Sequence, residues 1–302
     1  MKNKVKEFEA YLKKNTKLSK NTISCYLMDL NQFTNYLTAN GVKSFADVTN
    51  SILLAFCASL QIKGTSQATI LRKISSIKKL FGFLNVMHNL GVDINSFIDL
   101  PKHKKSLPKF ANTNEINKIF DTFDLNTAKG LRDRAMLELL YATGIKVSEL
   151  IELKLFDLSM DKLEITCNMR EGFNTLPFSK QTKIVLQEYL KKSRPKLTIG
   201  KTKDLLFVNM KGNIMTRQGF WKIVKEQAAK AGVSEDICPN TLRNSFTVHL
   251  INNGADVMDI KDMMGHSDIS TTNAYFEAVK SEKLRRTITK NHPREKVRKE
   301  EK

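Results

Sequence analysis

Apolar positions along the chain divide it into an all-helical first part and a mixed remainder. Phe8, Leu12 and their neighbours mark a short amphipathic helix. Ser19 can cap a second, in which Ile23, Tyr26, Leu27, Leu30, Phe33 and Leu37 recur at helical spacing until Gly41. A third helix is predicted from Ser51 to Leu60 and a fourth from Ser66 to Leu84. The fourth shows Ile70, Ile74, Ile77, Leu80, Phe81 and Leu84 on one side and Arg72, Lys73, Lys78 and Lys79 on the other. Such a helix suits docking on a phosphate backbone, although a solvated lysine face gives the same pattern.

Periodicity stops near residue 86. Pro101 and Pro108 bracket Lys102, His103, Lys104 and Lys105, the composition of a basic connector. Helical spacing resumes at Thr113, and Arg132 to Leu140 is a strongly apolar helix that Gly144 breaks. Ser148 can begin the next helix. Residues 162 to 178 alternate, with Leu163, Ile165 and Cys167 on one side and a turn near Gly172, which predicts a β-hairpin. Helices are predicted over 180–192 and 216–231, with a short buried strand at 205–208 between them. Thr241 to Asn252 places Leu242, Phe246, His249 and Leu250 on one face, and Gly254 closes it. Asp256 caps a helix burying Val257, Ile260, Met263 and Met264, which Gly265 ends. Ser270 caps a third short helix carrying Tyr275. The expected fold is mainly α, with a small β-hairpin or sheet in the C-terminal domain (α+β). Its expected boundaries are a helical domain over 1–86, a linker over 87–110 and a larger domain over 111–302.

Charge narrows the partner. The chain has 302 residues, 50 Lys and Arg against 31 Asp and Glu, and a formal net charge of +19. That balance favours a polyanion, and nucleic acid is the commonest. An acidic membrane surface is the rival, but no apolar run is long enough to span a bilayer and no signal peptide opens the chain. A cytoplasmic location is therefore expected. Cys25, Cys57, Cys167 and Cys238 are scattered without metal-ligand spacing, so no zinc site and no cofactor is expected.

Candidate chemistry gathers near the C-terminal end. Arg243 lies in the first turn of one helix, His266 just past the glycine stop of another, and Tyr275 nine residues later. Such positions at element ends can converge. Singly each has an ordinary reading: an ion-paired arginine, a polar loop histidine, a packed tyrosine.

Together they carry a resemblance. The run T-L-R-x-S-F-x-x-H-L, then N-G-A-D, then G-H-S-x-I-S-T-T-x-x-Y resembles the C-terminal signature of the tyrosine recombinases, nearest to the Xer-type branch. L-S-K-N-T-x-x-x-Y-x-x-D-L-x-x-F, residues 18 to 33, is similar to the family's N-terminal core-binding domain, and T-R-Q-G-F-W at 216–221 is again Xer-like. The resemblance implies a two-domain clamp around double-stranded DNA. It also implies a homo- or hetero-oligomer on DNA, tetrameric in an active synapse, with a C-terminal segment that docks into a neighbouring protomer. Tyr275 would attack a phosphodiester and form a 3′-phosphotyrosine without a metal. Arg72, Lys73 and Arg217 would contact DNA.

Phosphoryl transfer through tyrosine needs an in-line nucleophile, a cationic cradle for two phosphate oxygens, an acceptor for the tyrosine proton and a donor for the leaving 5′ oxygen. The chain matches the family at Tyr275, Arg243 and His266 and departs from it at three places. In A-T-G-x-x-x-S-E-L, Lys146 stands where the family has arginine, which keeps charge but loses the planar fork. Aligning the hairpin back from Pro177 puts Met169 at a lysine position, with Arg170 beside it; a thioether donates no proton. Asn240 replaces a histidine three residues before Arg243, and an amide does not titrate near neutrality. Two readings follow: a recombinase with an unusual, slower site, or a recombinase-derived architectural or regulatory DNA-binding subunit that no longer cuts. A generic RNA-binding protein fits the charge but leaves the ordered C-terminal motif unexplained.

Overall fold

A computed structural model describes residues 1–16, 18–96, 108–169, 172–199, 204–265, 272–277 and 279–280. The expectations placed on residues 97–107 of the connector, Arg170, His266, the Ser270 cap and the tail beyond Lys280 lie outside the described residues. The chain forms two compact units, Met1–Lys105 and Ser106–Lys302.

Among its described residues the first unit holds four α-helices: α1 (Lys2–Asn15), α2 (Lys20–Ala39), α3 (Asn50–Ile62) and α4 (Gln67–His88). Their starts follow local hydrogen bonding. Ser19, Thr49 and Ser66 accept bonds from the backbone N–H of Thr22, Ile52 and Thr69, which relieves the orphan donors of α2, α3 and α4. α3 begins one residue before Ser51, because Thr49 is the cap. α4 runs a turn beyond Leu84 and stops at Asn89, which takes the left-handed conformation. Its apolar stripe, Ile70, Ile74, Ile77, Leu80, Phe81 and Leu84, is buried with Leu30, Phe33, Leu37, Leu53 and Phe56. Each such side chain contributes roughly 1.5–3 kcal/mol by leaving water.

The polar side of α4 corrects one expectation. Lys73 is only 8% exposed, and its ammonium bonds Asp29 Oδ1 at 2.8 Å. Arg72 pairs with the same carboxylate while its side chain stays 43% exposed, and Ser76 Oγ donates to Asp29 Oδ2 at 3.1 Å. A carboxylate on α2 that is itself buried needs this compensation. Lys73 therefore belongs to an internal ion cluster. The exposed cations on this face are Arg72 and Lys79, with Lys79 lying over the Tyr26 ring.

The second unit begins with α5 (Thr113–Phe120), α6 (Ala128–Thr143) and α7 (Val147–Glu152). A three-stranded antiparallel sheet follows in the order β1 (Leu158–Ser159), β2 (Glu164–Met169), β3 (Gly172–Pro177). The hairpin pairs Glu164 with Pro177 and Met169 with Gly172, and Ile165, Cys167 and Leu176 point into the core. β1 is an addition to the predicted hairpin. α8 (Lys180–Glu188) passes through a π-turn at Tyr189–Ser193 into α9 (Arg194–Leu197). The wide turn precedes Pro195, whose ring and missing N–H would interrupt a regular helix, so helical structure outlasts residue 192.

Residues 206–208 are buried as expected, with Leu205 partly so, but the segment forms no ladder. Leu205 and Val208 make isolated bridges to Lys154 and Ile214. Tyr189 Oη donates to Leu206 O at 2.9 Å and the Arg194 guanidinium donates to Leu205 O at 2.7 Å, so side chains take these two carbonyls, while Leu206 N–H donates to Leu153 O at 2.8 Å. α10 (Arg217–Lys230), α11 (Pro239–Asn252) and α12 (Val257–Met264) complete the unit, with residues 272–277 helical after them. α11 packs along α6 at the centre of this unit. Among the described residues no helix is long and apolar enough to cross a membrane, and no group of three His, Cys, Asp or Glu could hold a metal ion.

Candidate active site

Arg243 is the centre of the site. It lies in the second turn of α11 and is 7% exposed. Its Nη1 donates to Gly144 O and its Nη2 to Met264 O at 2.6 Å. Gly144 caps the C-terminus of α6, and Met264 is the last residue of α12. Two helix C-termini, each with unsatisfied carbonyls and a partial negative charge, therefore converge on one guanidinium. That arrangement supports a cation which burial otherwise disfavours. Burial pulls the Arg243 pKa down, and Glu149 and Tyr275 push it back up.

The A-T-G motif has a physical reading here. Gly144 has a φ of 63°, in the left-handed region, and a Cβ there would meet Phe246 Cδ1 at 2.4 Å. Only glycine allows that turn and lets Phe246 of α11 close on it. S-E-L is equally local. Lys146 precedes α7, and its backbone N–H donates to Glu149 Oε2 at 3.0 Å, the reciprocal half of a capping box. The same carboxylate takes the Lys146 ammonium at 3.2 Å. Lys146 is therefore near Arg243 through Gly144 but is engaged by Glu149.

Tyr275 is 8% exposed on the helical turn 272–277. Its hydroxyl donates to Asn244 Oδ1 at 2.8 Å. Burial raises the Tyr275 pKa, and Arg243 opposes the rise. Tyr275 and Arg243 thus share one electrostatic environment. Asn240 lies one turn before Arg243 at the start of α11 and is exposed. Met169 occupies the last position of β2, and β3 is tied to α12 by the Asn174 amide, which donates to Asp262 O at 2.9 Å. Arg217 is exposed as the first residue of α10.

The structure thus joins Arg243, Tyr275 and, through Gly144 and Glu149, Lys146. It adds two residues that the sequence reading did not single out for the site. Glu149 carries a signal, since a carboxylate three residues after a helix cap is a capping-box mark. Asn244 carries none, because its partner lies 31 residues away.

Comparison with known proteins identifies the family. The model of the phage integrase family matches residues 109–282, and that of the phage integrase N-terminal SAM-like domain matches residues 5–86. The chain is 38% identical over 280 residues to tyrosine recombinase XerD of Listeria innocua, covering 92% of this chain and 94% of that protein. It is 36% identical over 278 residues to tyrosine recombinase XerC of Herpetosiphon aurantiacus, covering 91% and 90%. In fold it is similar to the XerH site-specific recombinase in a post-cleavage complex with palindromic difH substrate, with a TM-score of 0.76 at 21% identity over 88% of this chain and 79% of that one. Two domain matches in chain order and full-length relatives above one third identity leave one conclusion: the chain belongs to the phage integrase family of tyrosine recombinases, on its Xer-like branch.

Proposed function

We propose that the chain binds duplex DNA as a site-specific recombinase, and that Tyr275 cleaves one strand slowly through a 3′-phosphotyrosine. The observation that carries this reading is the pairing of a buried, doubly anchored Arg243 with Tyr275. Two of the five guanidinium N–H groups hold the protein together, and the others suit the non-bridging oxygens of a phosphate. Arg72, Lys79 and Arg217 are exposed cations suited to the DNA backbone. On DNA the protein acts as an oligomer, as the resemblance implies, with His266 completing the phosphate cradle.

Slowness follows from the other positions. The Lys146 ammonium is shared with Glu149 and offers a point charge instead of a fork. Met169 gives the leaving 5′ oxygen no proton, and loss of a general acid typically costs about 10²–10⁴ in rate. Asn240 can hydrogen-bond phosphate without titrating. The Lys146–Glu149 pair also favours a second reading, a non-cutting architectural or regulatory subunit that keeps only the DNA-binding scaffold.

Covalent trapping separates the two. The full-length protein would be incubated with nicked or phosphorothiolate-bridged duplexes drawn from its own genome, beside Tyr275→Phe. A protein–DNA adduct that is lost in the variant supports slow cleavage. No adduct on duplex that the protein binds supports the non-cutting subunit.

A further inference from the structure

We propose that Asn244 is the positioning residue of the Tyr275 site, and that its amide holds the hydroxyl as a neutral phenol while the backbone at Lys109 holds the amide. The proposal rests on the reading of Tyr275 as nucleophile. Asn244 is buried on α11 directly after Arg243. Its two amide atoms face two different parts of the unit. Oδ1 accepts from Tyr275 Oη at 2.8 Å, and Nδ2 donates to Lys109 O at 2.9 Å.

This orientation has a chemical consequence. An acceptor facing the phenol stabilises the protonated form, because a phenolate has no proton to offer it. A phenolate would need the amide reversed, with Nδ2 towards it. Reversal would set Oδ1 against the Lys109 carbonyl, two acceptors face to face. While Lys109 stays in place, Tyr275 meets an acceptor and keeps its proton. If Lys109 withdraws, the amide is free to turn and to stabilise the attacking phenolate.

Lys109 belongs to a strap, residues 108–111, which enters the second unit. α11 laces it down through two consecutive side chains, Asn244 to Lys109 O and Ser245 Oγ, which accepts from Ala111 N–H at 2.8 Å. Open cavities of about 380 and 300 Å³ border the strap, and Phe110 lines both. Ala111 is buried in the core, whereas Lys109 is exposed and Pro108 and Phe110 are half-buried beside the cavities, so that part of the strap has room to shift when DNA is engaged.

The test uses full-length protein labelled with 3-fluorotyrosine, which titrates at lower pH than tyrosine and so while the fold is intact. The ¹⁹F signal of Tyr275 is the one missing from Tyr275→Phe. In Asn244→Asp the added negative charge should raise the Tyr275 midpoint by about one unit or more. In Asn244→Ala the acceptor is lost and the midpoint should fall. Amide exchange in the peptide spanning 108–112 should quicken in Asn244→Ala. Should Asn244→Ala fail to fold, the near-isosteric Asn244→Asp carries the test alone. Unchanged midpoints in the folded variants would overturn the proposal. Failure of the nucleophile reading would look different: no adduct on any duplex, with the Tyr275 signal still responding to Asn244.

Discussion

At position 146 an ammonium stands next to a carboxylate, and their contact limits what the lysine can give to a phosphate. The Lys146 ammonium is 3.2 Å from Glu149, whose other oxygen accepts the Lys146 backbone N–H. A guanidinium has enough donors to keep Glu149 and still reach a phosphate; an ammonium has fewer and no planar fork. Lys146→Arg should therefore speed adduct formation at Tyr275 by about tenfold or more, since one transition-state donor is typically worth about 10²–10³. Trapping kinetics on a single bound duplex would measure it. An unchanged rate with unchanged DNA affinity would remove Lys146 as a cause of the proposed slow cleavage. Adding Met169→Lys and Asn240→His should raise the rate further, but not as a simple product, because residues acting as a unit are not additive.

Elements here are set by short-range hydrogen bonding, and their joints by contacts from far along the chain. Ser19, Ser66 and Asp256 were readable as caps because each needs only a backbone N–H two or three residues on. Gly144 was readable as a stop for the same reason, while its closeness to Phe246 was not, since that depends on how α6 meets α11. Lys73 shows the same limit. Helical spacing put it beside Arg72 on a basic face, but the partner that draws it inward, Asp29, lies on another helix. Residues 205–208 looked like a strand by composition, and only the fold shows that Tyr189 and Arg194 take the carbonyls of Leu206 and Leu205. The Asp29 cluster gives the test at this scale. Asp29→Ala leaves the buried Lys73 charge unpaired and should cost about 3–5 kcal/mol of stability in the first unit. Urea unfolding would read it. A loss below about 1 kcal/mol would mean that the lysine reaches water without its partner.

Across the whole molecule, ionisation and net charge make two demands that involve different residues. Burial raises the Cys57, Tyr141 and Tyr275 pKa values, pushes Cys167 up to about 12 and moves Tyr189 upward as well. The unfolded chain gives up those protons from about pH 8.5 for thiols and 10 for phenols. Below those values their contribution to stability is fully present. As pH rises the unfolded state binds fewer protons than the folded one, and stability falls. Melting temperature should therefore drop steadily above about pH 9, and Cys167→Ala should soften the drop; a flat profile to pH 11 would contradict the burial. Net charge acts on binding instead. Of the 50 Lys and Arg, Lys73 is paired internally with Asp29, so it does not belong to the cations that DNA can meet. Each phosphate contact releases a counterion and adds about −0.9 to the slope of log K against log salt. Anisotropy titrations on a duplex should give a steep negative slope. Arg217→Ala should make it shallower by about one, because that side chain is exposed at the start of α10. Lys73→Ala should leave the slope alone and weaken the fold, because its charge faces Asp29. The opposite pattern, with Lys73 setting the slope and Arg217 silent, would return Lys73 to the DNA surface and overturn its place in the core.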